Sequence, residues 1–391
     1  MHNTVAQFKE RFGHEPEWVI VAPGRVNLIG DHTDYNDGFV FPMAIERQTV
    51  IAAARRDGQP PPVFNAYSLS LDEADEFDVA RGRLESSGKW TDYIKGVLAE
   101  FLDRGLVAES LDILVNSNVP MRCGLSSSAA LQVAMAKLLQ QLGTAAVGDE
   151  VIPKLCQAAE HKFAGVPVGI MDQFCIVNAR QGNGVFLDCR TIEAEHVPFD
   201  DSDTAVLIVD SKVSRELRSG AYAERRAQCD EACRIMGIDK LRDASAQTVE
   251  AARQALGDVC YRRARHVTTE DARTIAAVSA MRDSGWARFG KLMYESHDSL
   301  KNDFETSCRE IDVLIDLASA IGVAGGVFGA RITGGGFGGC VVALIRRSKA
   351  DDIIDALTVG YQEATNKTLS AYVSSPASGA RSLARKEWES L

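Results

Sequence analysis

The sequence predicts an α+β fold divided into two domains. Three observations lead there. The chain has 391 residues, more than one ordinary hydrophobic core serves. Apolar runs with a strand period and amphipathic runs with a helix period are mixed along it, without the regular βαβ alternation of a doubly wound sheet. An acidic stretch near 190–203, rich in strand-breaking residues, separates two groups of predicted strands. The domains are accordingly placed at residues 1–197 and 198–391.

The elements follow in order. Residues 4–13 carry Val5, Phe8 and Phe12 on one helical face. Trp18–Ala22 reads as a strand that Pro23-Gly24 breaks. Segments 39–45 and 49–54 read as two further strands with polar turn residues between them. Residues 57–76, rich in Pro, Asp and Ser, read as an irregular excursion. The helix at 92–104 spaces Ile94, Val97, Leu98, Phe101 and Leu102 for a buried face, and 111–116 is a strand. A Gly/Ser loop at 120–128 opens a long helix from about Ser127 to Leu142, with Leu131, Ala134, Met135, Leu138 and Leu142 on one face and Gly143 as its stop. A further helix covers 151–163, and strands cover 183–189 and 204–210. Residues 214–320 are mostly helical and charged, 323–345 is a glycine-laden strand region, and a helix covers 349–365.

Composition narrows the function. A net charge of -11 lacks the electrostatic footprint of a non-specific nucleic-acid binder, so no nucleic-acid partner is expected. An anionic substrate would need local positive contacts against that global field. No run of 18 apolar residues occurs and the first residues contain no apolar signal segment, so a cytoplasmic protein with no membrane partner is expected. The nine cysteines are scattered and form no CxxC. Cys229 and Cys233 stand one helical turn apart but lack two further ligands at zinc spacing, so the thiols read as reduced and partly buried.

Three segments carry chemistry. Residues 23–36 (PGRVNLIGDHTDYN) are a dense polar cluster directly after an apolar strand. Arg25, Asp31, His32 and Asp34 together offer donors and acceptors for several hydroxyls, as a sugar requires; a solvated loop is the plainer alternative. In the segment 119–130 (VPMRCGLSSSAA), three serines open a helix whose free N–H groups and dipole attract phosphate, and a serine hydroxyl can ligate Mg2+. Simple serine N-capping is the alternative there. In 331–340 (RITGGGFGGC), Gly334, Gly336 and Gly339 match GxGxxG formally, but a strand follows where a dinucleotide fold needs a helix. Backbone packed closely against a ligand or another loop, or a bulged hairpin, fits better. No Walker A loop and no protein-kinase signature occurs.

Taken together, these segments resemble the GHMP kinase superfamily, and specifically the galactokinases. PGRVNLIGDHTDYNDG looks like the galactokinase signature, CGLSSSAAL the ATP loop and RITGGGFGGC the third superfamily motif. VGIMDQF (168–174) looks like the catalytic-aspartate segment, and Glu160 stands twelve residues before Asp172, as the family's metal-ligating glutamate does. The match runs in order from about residue 18 to 373 and includes YAERR at 222–226.

The resemblance implies an ATP-dependent sugar 1-kinase that makes galactose 1-phosphate. Its fold would pair an N-terminal domain like domain 2 of ribosomal protein S5 with a C-terminal ferredoxin-like domain. Asp172 would be the base and Arg25 would keep it ionised while stabilising the phosphoryl oxygens. Asp31, His32, Thr33, Asp34, Gly169 and Tyr222 would contact the sugar. Arg122, Cys123, Gly124, Leu125, Ser126, Ser127 and Ser128 would surround ATP, with Gly335 and Gly336 beside it. Ser128 and Glu160 would hold Mg2+. A monomer or weak homodimer is implied.

Two positions depart from the family pattern. Galactokinases usually carry glutamate where this chain has Asp31, one methylene shorter, so its sugar contact is lost, water-bridged or retargeted. Arg122 replaces the first glycine of the phosphate loop's P-x-G-x-G; it is strained if φ is positive, and either points outward with the loop kept or reaches a phosphate. Another monosaccharide, such as N-acetylgalactosamine, a uronic acid or a pentose, remains an alternative substrate. A non-catalytic sugar sensor on the same fold remains an alternative function.

Overall fold

β1 (Trp18–Asn27) is buried along all but its first residue, which places it inside a sheet. It pairs antiparallel with β3 (Pro42–Arg55) on one side and with the short β13 (Arg381–Ser382) on the other. β4 (Val63–Ser68), β5 (Glu73–Asp78) and β6 (Leu111–Ser117) complete a six-stranded sheet of order β13-β1-β3-β6-β4-β5. The chain is described here from a computed structural model covering residues 3–390 apart from 57–61, 80–83, 108, 144–146, 200 and 215–219.

The helical periodicities find their partner on this sheet. α2 (Asp92–Leu102), α3 (Ser127–Gln141) and α4 (Ile152–Ala159) bury Ile94, Val97, Phe101, Met135, Leu138 and Leu155 against Ile20, Ile51 and Ile113. α1 (Thr4–Phe12) sets Phe8 on the opposite face among Val19, Val50 and Leu114. α5 (Met171–Asn178) packs between the large sheet and a three-stranded one of β2 (Phe39–Val40), β7 (Asn183–Asp188) and β8 (Glu193–Pro198), ordered β2-β7-β8.

Between Pro198 and Thr204 the chain crosses to a second antiparallel sheet. β9 (Thr204–Asp210), β10 (Val327–Ile332), β11 (Cys340–Arg346) and β12 (Ser370–Ser374) run in the order β10-β11-β9-β12. Helices α6 (Ala221–Met236), α7 (Ala246–Ala251), α8 (Arg253–Arg282), α9 (Trp286–Asn302) and α10 (Arg309–Gly325) lie between β9 and β10, and α11 (Ala350–Thr365) between β11 and β12. This is the βαββαβ order of a ferredoxin-like unit, as expected, with extra helices inserted. A third apolar cluster joins Leu28, Phe41 and Met43 to Ile208, Phe289 and Val342, so the two halves share a core at their seam. Among the described residues no helix is long and apolar enough to cross a membrane.

Several boundaries differ from the sequence reading. β1 runs through Pro23-Gly24; Pro23 stands opposite Gln48 and Arg25 opposite Ala44, so the extra residues of the register shift bulge from β3. The strands expected at 39–45 and 49–54 are largely one, β3. Its polar middle, residues 45–47, leaves the ladder, and the strand continues there because the Gln48 N–H donates to Asn118 Oδ1 (2.7 Å) and the Glu46 N–H to Ser374 Oγ (3.0 Å). The excursion contains the β4–β5 hairpin; residues 57–61 of it lie outside the described residues. β4 alternates buried and half-buried positions and β5 is largely exposed at the sheet edge, which made both read as loop. β8 lies inside the presumed boundary stretch and is exposed over most of its length. α5, β12 and β13 were not anticipated; the first is only eight residues long.

Candidate active site

The register shift between β1 and β3 lies just before Arg25, whose side chain lines the space between the two halves. Its guanidinium is almost wholly buried. Nε donates to Asp172 Oδ1 (2.8 Å), Nη2 lies 2.6 Å from the same oxygen, and Nη1 donates to the Gly124 carbonyl (2.6 Å). Burial alone would lower the Arg25 pKa, but the charges of Asp172 and Asp31 outweigh it and the value is raised. Asp172 stands in the first turn of α5, and its other oxygen accepts from the Ser126 hydroxyl. The carboxylate is thus held from two directions, by β1 and by the loop that opens α3.

That loop is shaped for an anion. Arg122, Gly124 and Ser126 have φ of 61°, 80° and 58°, and the Ser126 side chain does not cap α3, being turned to Asp172. The first N–H groups of α3 are therefore not satisfied by serine capping, and with the helix dipole they favour phosphate. Leu125 takes part through its backbone, since its side chain is buried in the seam and its carbonyl accepts the Arg25 N–H (3.1 Å). Arg122 has the positive φ that strains an arginine, the loop is kept, and the residue is exposed along the cleft.

Glu160 begins a π-turn at the end of α4. The Ser128 hydroxyl donates to its Oε1 (3.3 Å) and Gln173 Nε2 to its Oε2 (2.8 Å). Burial, and secondarily the charge of Asp172, push the Glu160 carboxyl up to about 8. A buried acid beside a hydroxyl, with a second carboxylate nearby and its charged form penalised, is a donor set that a hard divalent cation would relieve.

On the opposite wall lie the residues after Gly30. Asp34 is half-buried; desolvation, then the charges of Asp172 and Asp31, push its carboxyl up to about 7. Gly169 faces it so closely that a Cβ there would overlap the Asp34 carboxylate. Tyr222 packs its ring 5.5 Å from His32 and 5.6 Å from Tyr35. The His32 Nδ1 and the Tyr35 hydroxyl are 2.9 Å apart.

Asp31 has a different task from the one expected. It lines the cleft, but its carboxylate is buried there: Oδ2 accepts from Arg331 Nη2 (2.7 Å) and the Gly334 N–H (3.2 Å), and Oδ1 from Asn27 Nδ2 (3.0 Å). With both oxygens so engaged, the shortened acid is retargeted to the second half of the chain. Two further expectations are corrected by position. Thr33 is buried outside the cleft and its hydroxyl serves the carbonyls of Gly30 (2.8 Å) and Phe39 (2.6 Å), a loop brace. Cys123 does not line the cleft either; it faces the second sheet.

The glycine motif is the β10–β11 hairpin, and Gly334, Gly335, Gly336 and Phe337 line the cleft. Gly336 has φ of 80°, and a Cβ on it would come within 2.6 Å of the Thr306 carbonyl, so this backbone packs closely against another loop within a hairpin. The cleft is about 1110 Å³, room for a monosaccharide and a nucleotide together. Trp90 and Tyr93, at the start of α2, line it too and were not singled out; aromatic residues outside any motif gave no signal. Nor was the buried network of Glu270, Ser296 and Arg331, whose members come from α8, α9 and β10.

Known proteins share this arrangement. Residues 6–55 match the galactokinase galactose-binding signature, 92–180 the GHMP kinase N-terminal domain and 277–362 the GHMP kinase C-terminal domain. A human galactokinase is 43% identical over 384 residues, covering 96% of this chain and 95% of its own. A Haemophilus influenzae galactokinase is 40% identical over 386 residues, covering 97% and 99%. The crystal structure of Lactococcus lactis galactokinase complexed with galactose superposes with a TM-score of 0.91 at 33% identity, covering 97% of this chain and 98% of that one.

Proposed function

This chain belongs to the galactokinases of the GHMP kinase superfamily, and from that premise we propose that Asp172 and Arg25 carry the transfer of the ATP γ-phosphoryl group to the anomeric hydroxyl of galactose. The observation that carries this division of labour is the placement of the Asp172 carboxylate. It lies between Arg25 and Ser126, at the junction of the phosphate loop and the sugar wall.

The anomeric oxygen attacks the γ-phosphorus in line with the leaving ADP oxygen, and its proton passes to Asp172. Arg25 ion-pairs with that carboxylate and faces the charge that spreads over the phosphoryl oxygens. Asp172 needs to accept the proton only late if the transition state is loose, so part of its role is to orient the hydroxyl. Asp34, His32, Gly169 and Tyr222 form the sugar wall. The N–H groups at the start of α3 and the exposed Arg122 meet the phosphates, and Gly335 and Gly336 close the nucleotide side. Ser128 and Glu160 fit Mg2+ and would hold it; the ion would supply neutralising charge to the phosphates.

The test is ADP release with Mg-ATP across galactose, N-acetylgalactosamine, glucose, arabinose and galacturonate, for the parent and for Asp172→Asn. Galactose turnover well above the rest is expected. The variant should bind ATP and galactose within a few-fold of the parent and lose about 10²–10⁴ in kcat, the usual worth of a positioned base. Undiminished kcat in the variant removes Asp172 from the mechanism.

A further inference from the structure

Cys123 turns away from the cleft, and what it meets is informative. Its Sγ, the Cys340 Sγ and an Asp210 carboxylate oxygen all lie within 4.8 Å of one another. The three come from separate parts of the fold: the phosphate loop, the start of β11 and the end of β9. Cys340 and Asp210 are direct cross-strand partners in an antiparallel pair, so their side chains leave the same face of the sheet. Both are buried, while Cys123 is half-buried at the rim and leaves a path of entry.

We propose that Cys123, Cys340 and Asp210 form a binding site for a thiophilic divalent cation of the zinc type, which pins the phosphate loop to the second sheet. Two thiolates and a carboxylate are a donor set such ions select, with a water in the fourth position. Zinc–thiolate bonds of about 2.3 Å place two sulfurs about 3.7 Å apart in a tetrahedron, so the present spacing closes by roughly 1 Å at most. The corner already gathers positive charge. The half-exposed Lys212 ammonium lies 2.6 Å from Asp210 Oδ2, and its pKa is raised chiefly by that hydrogen bond. A bound ion would displace this ammonium. Tyr372, on the neighbouring β12, has the two thiols among its electrostatic neighbours, with Arg47 over its ring. Binding replaces two S–H bonds by two metal–sulfur bonds and releases two protons to solvent.

The experiment is titration of the reduced full chain with Cd2+, followed by the ultraviolet thiolate-to-cadmium charge-transfer band. The band is expected to saturate at one equivalent, to be displaced by Zn2+, and to weaken in Asp210→Asn. Cys123→Ala and Cys340→Ala should each lose at least about tenfold in affinity. Cys340 is wholly buried, so the half-buried Cys123 carries the decision if Cys340→Ala does not fold. Cys229→Ser, on α6, should keep the band. No band at one equivalent, or one that survives Cys123→Ala unchanged, overturns the site. The link to the phosphate loop rests on the function proposed above and has its own readout. Zn2+ should inhibit the parent, relative to its metal-free rate, at least about tenfold more tightly than it inhibits Cys123→Ala relative to that variant's own rate. Equal inhibition of the two refutes the pinning even where the absorbance establishes the ion.

Discussion

Replacing Arg331 by methionine tests the idea that Asp31 holds the two halves in register. Both side chains are almost completely buried, and 300 residues separate them along the chain. Arg331 donates to Asp31 Oδ2 (2.7 Å), to the Asn27 carbonyl (3.1 Å) and to Ser296 Oγ (3.1 Å). Methionine fills much of the volume but leaves the Asp31 carboxylate with two neutral donors in a dry site. Removing one partner of a buried pair costs about 3–5 kcal/mol, most of it from the charge left behind. Asp31→Asn keeps an acceptor for Arg331 but strands the guanidinium's charge, so it too should be costly. The double variant leaves neither charge and should be less destabilised than the sum of the singles by at least about 2 kcal/mol. Urea unfolding, followed by tryptophan fluorescence, measures all four proteins. A loss below about 1 kcal/mol in Arg331→Met, or strict additivity in the cycle, would refute the reasoning. Steady-state kinetics should show the galactose KM raised in the single variants, because the Asn27–Asp34 segment loses its anchor.

Other perturbations follow from the same geometry. Gly169→Ala puts a methyl group against the Asp34 carboxylate and should raise the galactose KM about tenfold or more, a cost of roughly 1.4 kcal/mol in binding; an unchanged KM would take Asp34 out of the sugar wall. Arg122→Gly relieves a left-handed residue of about 1–2 kcal/mol of strain against about 0.5–1 kcal/mol of added chain entropy, so stability should rise slightly while the ATP KM rises severalfold at low salt. Glu160 titrates near 8 in the ligand-free protein instead of at 4.5, because burial and then Asp172 disfavour its charge. A raised folded-state value means that its contribution to stability is complete below the ordinary carboxylate range and is lost as pH rises through about 8. Mg2+ requires the carboxylate, so its binding should release protons below that pH and tighten as pH rises. Calorimetry in buffers of different ionisation enthalpy reads this directly, and Glu160→Gln should abolish the proton release.

The sequence by itself determined the pieces whose geometry is local. A serine-rich stretch before an amphipathic run makes a helix N-terminus that attracts anions, and the tertiary surroundings only remove the competing cap by turning Ser126 towards Asp172. The glycines after Arg331 and the polar run after Pro23 were likewise legible, because backbone conformation and hydroxyl-rich composition are written over a few adjacent residues. Tertiary structure alone decided which way the side chains face and whom they meet. Thr33 and Cys123 sit inside the right motifs yet lie outside the cleft, and Asp31 lines it with its carboxylate engaged by Arg331. Arg25 meets Asp172 across 147 residues, and Cys123 meets Asp210 and Cys340 only because β9 and β11 are paired under the phosphate loop. Spacing along a chain carries no information about such meetings. They are set by how the strands order themselves in each sheet and by the apolar seam that locks one sheet against the other.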